Sequence, residues 1–552
     1  MKTIIKYISI CLTIVGVFSC SLDRYPLDAP SDQTFLATEN ELEMALTGCY
    51  NQLYFGTEAA YNITLYPIMD VYTDIAWERA VASVQQLGSG IADPDNTQSL
   101  AIWTQAYKAI GRSNFLLTNM SRAKDVTNPD VYNRIAAEAR FLRAYWYMLL
   151  TELYGDVPLI LEPQTLTEAE VARTPKSQVV DQMLQDLTES EILPAEVSVK
   201  GRISKGAVLA LKAKIALYNE RWEVAADAAE KCMKLGVYQL DKNYEDLFTN
   251  PGQAASKEII FSLQLDKTVW YHNIALGCNS RMTRGYSSKV PTQAMVDSYE
   301  CTDGLSIDKS PLYDPLKPFD NRDSRLKVTI LVPGEVYGGY QFETHRDSIK
   351  CWNYNTNPAT RVDNQDALNA YASFTGYIWK KYTYMEDADA LNRSTVSFIM
   401  LRYAEVLLMY AESKIEANQI DNSVYDAINQ VRTRAQMPAL KQGLSQAELR
   451  SAVRKERKYE LALEGHRLFD IRRWKIAEKV MPGELLGRIP KGLLSNAPAI
   501  DQWGTPDYRN VSNKSEMRVI ENRLFDPARD YLYPIPRIEM ETNKALVQNP
   551  NY

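Results

Sequence analysis

A mostly α-helical fold follows from three features of the sequence. Apolar residues recur at spacings of three and four through long segments of both halves, those segments start and stop on capping and breaking residues, and the stretch 251–398 lacks the period. Spacings of three and four put side chains on one face of a helix. Ile135, Ala139, Leu142, Trp146, Leu149 and Leu153 make one such face, ended by Gly155 and Pro158. Val208, Leu211, Ile215 and Tyr218 make another, with Ser204 placed to cap its first turn. A short turn at 219–221 leads to Val224, Ala228, Cys232 and Leu235, closed by Gly236. The unit 204–236 is a helical hairpin of about tetratricopeptide length, and Ala213, Ala225 and Ala229 let its helices approach closely. In the second half, Leu401, Ala404, Leu408, Ala411 and Ile415 line one helix. Val424, Ile428, Val431 and Ala435 line the next, stopped by Pro438. Ser445 and Glu448 form a capping box that opens a third, which Gly465 ends or kinks.

The middle stretch carries Gly, Pro, Asp, Tyr and Trp, and predicts loops with short strands, for example at 258–265 and 377–384. Residues 482–527 are similarly irregular. Irregular segments mounted on a rigid scaffold are where binding residues concentrate.

The N-terminus reads as a secretory signal. Lys2 and Lys6 form a basic head, and 8–18 is nearly all apolar, too short to span a bilayer as a helix. Val17, Phe18, Ser19 and Cys20 resemble a bacterial lipobox, with cleavage before Cys20 and a lipid on its thiol. Residues 1–19 are thus a lipoprotein signal peptide, and 20–552 a single domain hanging from its lipid. Each buried methylene of such an anchor adds about 0.8 kcal/mol.

Losing Lys2 and Lys6 takes the formal charge from −7 to −9. That balance excludes a nucleic-acid binder and a polybasic membrane patch. Five cysteines remain beyond Cys11 and Cys20, an odd number without a CxxC pair, so neither a disulfide framework nor a zinc site is predicted. The three histidines stand apart and in no metal-ligand spacing, and no metal or other cofactor is expected. Tyr (34) and Trp (9) are plentiful, which suits stacking surfaces better than acid–base chemistry.

Several segments together resemble the SusD/RagB family of outer-membrane nutrient-binding lipoproteins. They are Ser31 to Phe35; Ala139 to Ala144 followed by Tyr154 to Pro158; the hairpin at 203–240; Arg402 to Leu408 with Ala427 to Arg432; Glu456 to Trp474; and the ending, Tyr533 to Pro536 through Gln548 to Tyr552. Asn551 stands where the family usually has Gly, and Asn tolerates a left-handed backbone. Only Asp23 is acidic between Ser21 and Tyr25, a weak form of the export signal of surface-exposed relatives. The resemblance implies tetratricopeptide-like hairpins supporting a loop-rich ligand-binding half. It implies a SusC-like TonB-dependent outer-membrane transporter as partner, and capture of glycan oligomers for that transporter, at the outer membrane and facing the exterior. No chemistry on the ligand is implied.

A pyranose has an apolar C–H face that stacks on Trp or Tyr. Trp103, Trp146, Trp222, Trp379 and Trp474 fall on regular elements and are read as core, whereas Trp77, Trp270, Trp352 and Trp503 lie in irregular segments. Relatives place ligand aromatics in the loop after the first helix and before the motif at 297–304. On that basis Trp77, Trp270, Tyr271 and Tyr286 are the candidate platforms, with Asp74 and Arg281 as hydrogen-bonding neighbours. Arg140, Arg143, Glu456, Arg457, Glu460, Glu464 and Arg467 look like a charged site, but their helical spacing suits ion-paired packing instead. Three other functions compete: the same architecture binding peptides, a glycan-degrading enzyme built on two carboxylates, and a protein-only scaffold. No GxSxG, P-loop, HExxH or GxGxxG motif supports the enzyme.

Overall fold

The computed structural model describes residues 35–56, 65–383 and 391–552. Cys20 and the signal segment lie outside the described residues. Helices take 44% of the chain and strands 10%, which is the mostly-α class.

The principal helices are α1 (Glu39–Tyr50), α2 (Thr97–Asn119), α3 (Pro129–Tyr154), α4 (Lys176–Ser190), α5 (Lys205–Tyr218), α6 (Trp222–Lys234), α7 (Tyr403–Glu416), α8 (Asn422–Arg434), α9 (Gln446–Glu460) and α10 (Arg467–Arg473). From α2 to α7 each packs on the next, and α7 also packs on α8 and α9. The array is continuous in space although 168 residues separate α6 from α7 in sequence. The predicted caps are present: Ser204 Oγ accepts from Ala207 N at 3.2 Å, and Ser445 and Glu448 close their box. Gly155 and Gly236 end α3 and α6 at positive φ, where a Cβ would be strained. Helix α5 departs from the amphipathic reading. Every residue from Gly206 to Tyr218 is buried, because α4, α6 and α7 all pack against it. Its Lys212 and Lys214 are matched inside by Glu191 at 2.5 Å and Glu405 at 3.1 Å.

The irregular half carries only short strands. β1 (Ala76–Glu78) pairs antiparallel with β3 (Lys289–Pro291), and β2 (Ile259–Ser262) pairs with β8 (Ile399–Arg402). A four-stranded meander runs β4 (Val336–Tyr337), β5 (Tyr340–Gln341), β6 (Lys350–Asn353) and β7 (Thr360–Asp363). The β2–β8 pair ties the loop-rich insert to the start of α7. One apolar cluster extends from Leu36 to Leu546, so both halves share a core.

The C-terminus is pinned to that core. Asn549 Nδ2 donates to the carbonyls of Tyr154 (3.0 Å) and Tyr533 (2.7 Å), and Arg173 donates to Asn549 Oδ1 at 2.6 Å. Asn551 adopts φ +65°, the left-handed turn expected there. All five described cysteines are buried. Among the described residues no helix is long and apolar enough to cross a membrane.

Candidate functional site

The charged motif of α9 is structural. Glu456 contacts Arg325 (2.6 Å) and Arg432 (3.0 Å), and Glu460 contacts Arg402 (2.5 Å), Arg325 (3.0 Å) and Arg434. Glu464 lies beyond the helix end at Glu460, in the turn closed by Gly465, yet reaches Arg402 (2.7 Å) and Lys381 (2.6 Å). On the same core, Arg457 meets Asp470 at 2.9 Å and Arg473 meets Glu412 at 2.7 Å. Burial alone would push the Glu460 carboxyl up, but the three guanidiniums hold it well below the usual carboxylate range. Buried charges require such partners, and this network leaves no carboxylate of the motif free to act on a ligand.

Asp74 belongs to the same interior. Arg467 grips it with two hydrogen bonds of 2.8 Å, which hold its carboxyl below the ordinary range despite burial. Both of its carboxylate oxygens are thus taken up by Arg467. Trp77 is also buried, in a strand rather than an irregular segment. It is 6% exposed, sits in β1 opposite Val290, and packs with Leu331, Ile378 and Leu485. The sequence places it in a loop because three residues of strand carry no visible period. One ring contact leads outward: Phe374 stacks on Trp77 with centroids 5.4 Å apart and planes at 23°.

Phe374 is the floor of an aromatic and arginine surface. Arg518 lies 4.0 Å over its ring and Arg79 lies 5.9 Å from it. The Arg79 guanidinium is also 5.0 Å from the ring of Tyr371 and donates to the Tyr286 carbonyl at 2.9 Å. Arg281 stands 5.9 Å from the Tyr286 ring and donates to the Gly285 carbonyl at 3.0 Å. Tyr286 is 38% exposed and Tyr371 59%. A single guanidinium thus links the backbone of Tyr286 to the ring of Tyr371 beside the half-buried Phe374. Strands β1 and β3 fix this geometry, since Arg79 follows β1 directly and its N–H donates to the Ser288 carbonyl at 2.8 Å, just before β3. Beneath the surface, burial raises the Asp366 carboxyl to about 6 while it accepts from Ser280 Oγ (2.5 Å) and Arg281 N (2.8 Å).

The other candidates stand in a second group. Trp270 stacks on Tyr54, 4.6 Å between centroids at 21°, which joins the insert to the end of α1. Tyr271 lies under the Arg393 guanidinium at 5.3 Å. Both rings are partly exposed. A third group, on the meander, pairs Trp352 (39% exposed) with Tyr354 (48%), with Arg361 5.1 Å over the indole. Of the six predicted residues, then, the structure joins Tyr286 with Arg281, places Trp77 behind them, sets Trp270 and Tyr271 apart, and commits Asp74 to the interior. Arg79, Tyr371, Phe374 and Arg518 were missed. They come from three distant segments, and no spacing in the sequence links them. An open polar cleft of about 570 Å³, lined by Asp314, Lys317, Asp320, Asn321 and Lys327 among others, shares none of these residues and has Phe319 as its one ring. No group of three or more metal-ligating side chains occurs among the described residues.

Fold and surface together define a helical-repeat scaffold that presents aromatic rings from a loop-rich half. The chain belongs to the SusD family, whose model matches residues 257–552. A second model, described as starch-binding and associating with the outer membrane, matches residues 26–217. SusD-like protein P2 of Formosa agariphila is 26% identical over 570 residues, covering 99% of each chain. A SusD-like protein of Bacteroides ovatus is 24% identical over 85% of this chain and 82% of its own. A crystal structure of a SusD-like carbohydrate-binding protein from Bacteroides fragilis superposes with a TM-score of 0.80 at 28% identity, covering 93% of this chain and all of that one. A laminarin-binding SusD-like protein shares the fold at a TM-score of 0.67 and 22% identity.

Proposed function

We propose that this chain is an outer-membrane binding lipoprotein that captures glycan oligomers and passes them to a SusC-like TonB-dependent transporter. Cys20 carries the lipid, 20–552 forms one ligand-binding domain, and the exterior-facing surface does no chemistry on its ligand. The observation that carries the reading is the Tyr286–Arg79–Tyr371 bridge beside Phe374, an exposed aromatic platform in a chain similar to a carbohydrate-binding SusD-like protein. Stacking on such rings supplies area, and guanidiniums and carbonyls at the rim give hydroxyls their partners.

The test is calorimetry of the mature protein against a panel of polysaccharides and peptides, with Tyr371→Ala, Trp270→Ala and Trp352→Ala beside it. Saturable glycan binding weakened about tenfold by Tyr371→Ala locates the site here. The same loss from Trp270→Ala or Trp352→Ala alone moves it to that group, and binding of peptides only replaces the ligand class. Membrane fractionation of Cys20→Ser tests the anchor: release into the soluble fraction is expected, and retention refutes lipidation at that residue.

A further inference from the structure

The chain as a whole is acidic, at −7, yet its aromatic surface is lined by arginines. Arg518 rests on Phe374, 4.0 Å over its ring. Arg346 spends one N–H on the Ala367 carbonyl at 2.7 Å, as Arg281 does on Gly285. Among the described residues, Arg281, Arg346 and Arg518 form no ion pair with a carboxylate. The carboxylates around them are committed elsewhere. Glu78 is buried against Lys289 at 2.6 Å, Glu521 holds Arg523 at 2.8 Å, and Glu343 stands 3.6 Å from Arg488. Asp366, which accepts from the Ser280 hydroxyl and the Arg281 amide, is buried. Burial and repulsion by Arg346 pull the Arg518 guanidinium below its ordinary value, as expected for a cation with no counter-charge beside it. A neutral sugar needs no such arrangement. A guanidinium fork matches the two oxygens of a carboxylate or a sulfate, and its attraction grows in a partly desolvated cleft.

We propose that the glycan taken by this surface is anionic, carrying uronate carboxylates or sulfate esters that supply the missing counter-charges of Arg346 and Arg518 while sugar faces stack on Tyr286 and Tyr371. The inference rests on the reading of this surface as a glycan site.

The experiment titrates the mature protein with polygalacturonate, a carrageenan, laminarin and starch, and repeats the titrations with Arg346→Gln, Arg518→Gln and Arg518→Lys. Binding of polygalacturonate points to uronate, and of carrageenan to sulfate. In either case affinity is expected to fall about tenfold in each Gln variant, to be largely kept in Arg518→Lys, and to weaken about tenfold as salt rises from ~0.05 to ~0.5 M. A neutral glycan bound equally by wild type and both Gln variants overturns the anionic ligand and leaves the glycan site standing. A folded protein that binds none of the four overturns both. Equal loss in Arg518→Lys and Arg518→Gln, without a salt dependence in the wild type, makes Arg518 a brace for Phe374 and overturns the proposal.

Discussion

Arginine does opposite things in two regions of this molecule. Around α9, Arg325, Arg402, Arg432 and Arg434 are buried against Glu456, Glu460 and Glu258, and each guanidinium meets a carboxylate. Around Phe374, Arg281 and Arg518 lie against rings and a backbone carbonyl, and no carboxylate pairs with either among the described residues. Charge neutralised in place fixes a fold. Charge left to be neutralised by something else is available for recognition. Residue type does not separate the two cases; the count of nearby carboxylates does.

The largest way to break the comparison is Glu460→Ala. It strips three buried guanidiniums of a partner, and such a loss costs about 3–5 kcal/mol because the remaining charges stay desolvated. Urea unfolding should show that cost, with glycan affinity of the folded protein unchanged. Normal stability with lost binding would place the ligand site in the ionic core instead.

Trp77→Ala comes next. Its ring fills the small core behind the surface, so truncation should cost about 3–5 kcal/mol in unfolding experiments. Loss of affinity without loss of stability would restore Trp77 as a ligand contact.

The ionic core also carries a pH signature. Burial opposes the charge of Glu412, but Arg473, Arg457 and Arg454 outweigh it and pull the carboxyl down to about 2, well below the usual carboxylate range. A depressed folded pKa gives stability that is complete above the unfolded value and is lost as pH falls toward the folded one. Wild type should therefore lose about 3 kcal/mol as pH falls from ~4.5 to ~2 that Glu412→Gln does not. Parallel pH profiles of the two proteins would refute the assignment.

At the surface, Tyr371→Ala should leave stability within about 0.5 kcal/mol while weakening glycan binding by about 1–2 kcal/mol. A stability loss as large as that of Trp77→Ala would mean that the ring is part of the core.

How far each region was legible follows from how local its signals are. The helices announce themselves through period and caps, and the ionic role of α9 through Glu and Arg at helical spacing, because both are set within a few turns. Even there, Glu464 shows the limit. It continues the four-residue spacing but lies in the turn after Glu460, and joins the network by looping back. The circumferential burial of α5 depends on α7, 185 residues after its own end. The Phe374 surface depends on three segments, near 79, 281–286 and 371–374, with Arg518 added from a fourth, and the β1–β3 pairing with its flanking Arg79 hydrogen bonds brings the first two together. Trp77 misled because a three-residue strand is too short to show alternation, so a core tryptophan looked like a loop aromatic.

The smallest expected effect tests the premise that environment, rather than charge, decides the role. Helices α3 and α4 carry two arginine–acid pairs one turn apart. Arg143 meets Asp186 at 2.7 and 2.8 Å in a buried fork, supported by Asn114 Oδ1 at 3.0 Å. Arg140 meets Glu189 at 2.8 Å where both side chains are partly exposed. The distances are nearly equal, and the helices are the same. Removing Asp186 abandons a desolvated guanidinium, so Asp186→Ala should resemble Glu460→Ala in scale. Glu189→Ala leaves Arg140 to water, and exposed pairs of this kind contribute about 0–1 kcal/mol. Unfolding midpoints of the two variants, measured side by side, should differ sharply, and raising salt should erase what little Glu189→Ala costs. Equal losses would show that ion pairing stabilises this scaffold regardless of burial, and the distinction between structural and available arginine would then fail at its simplest case.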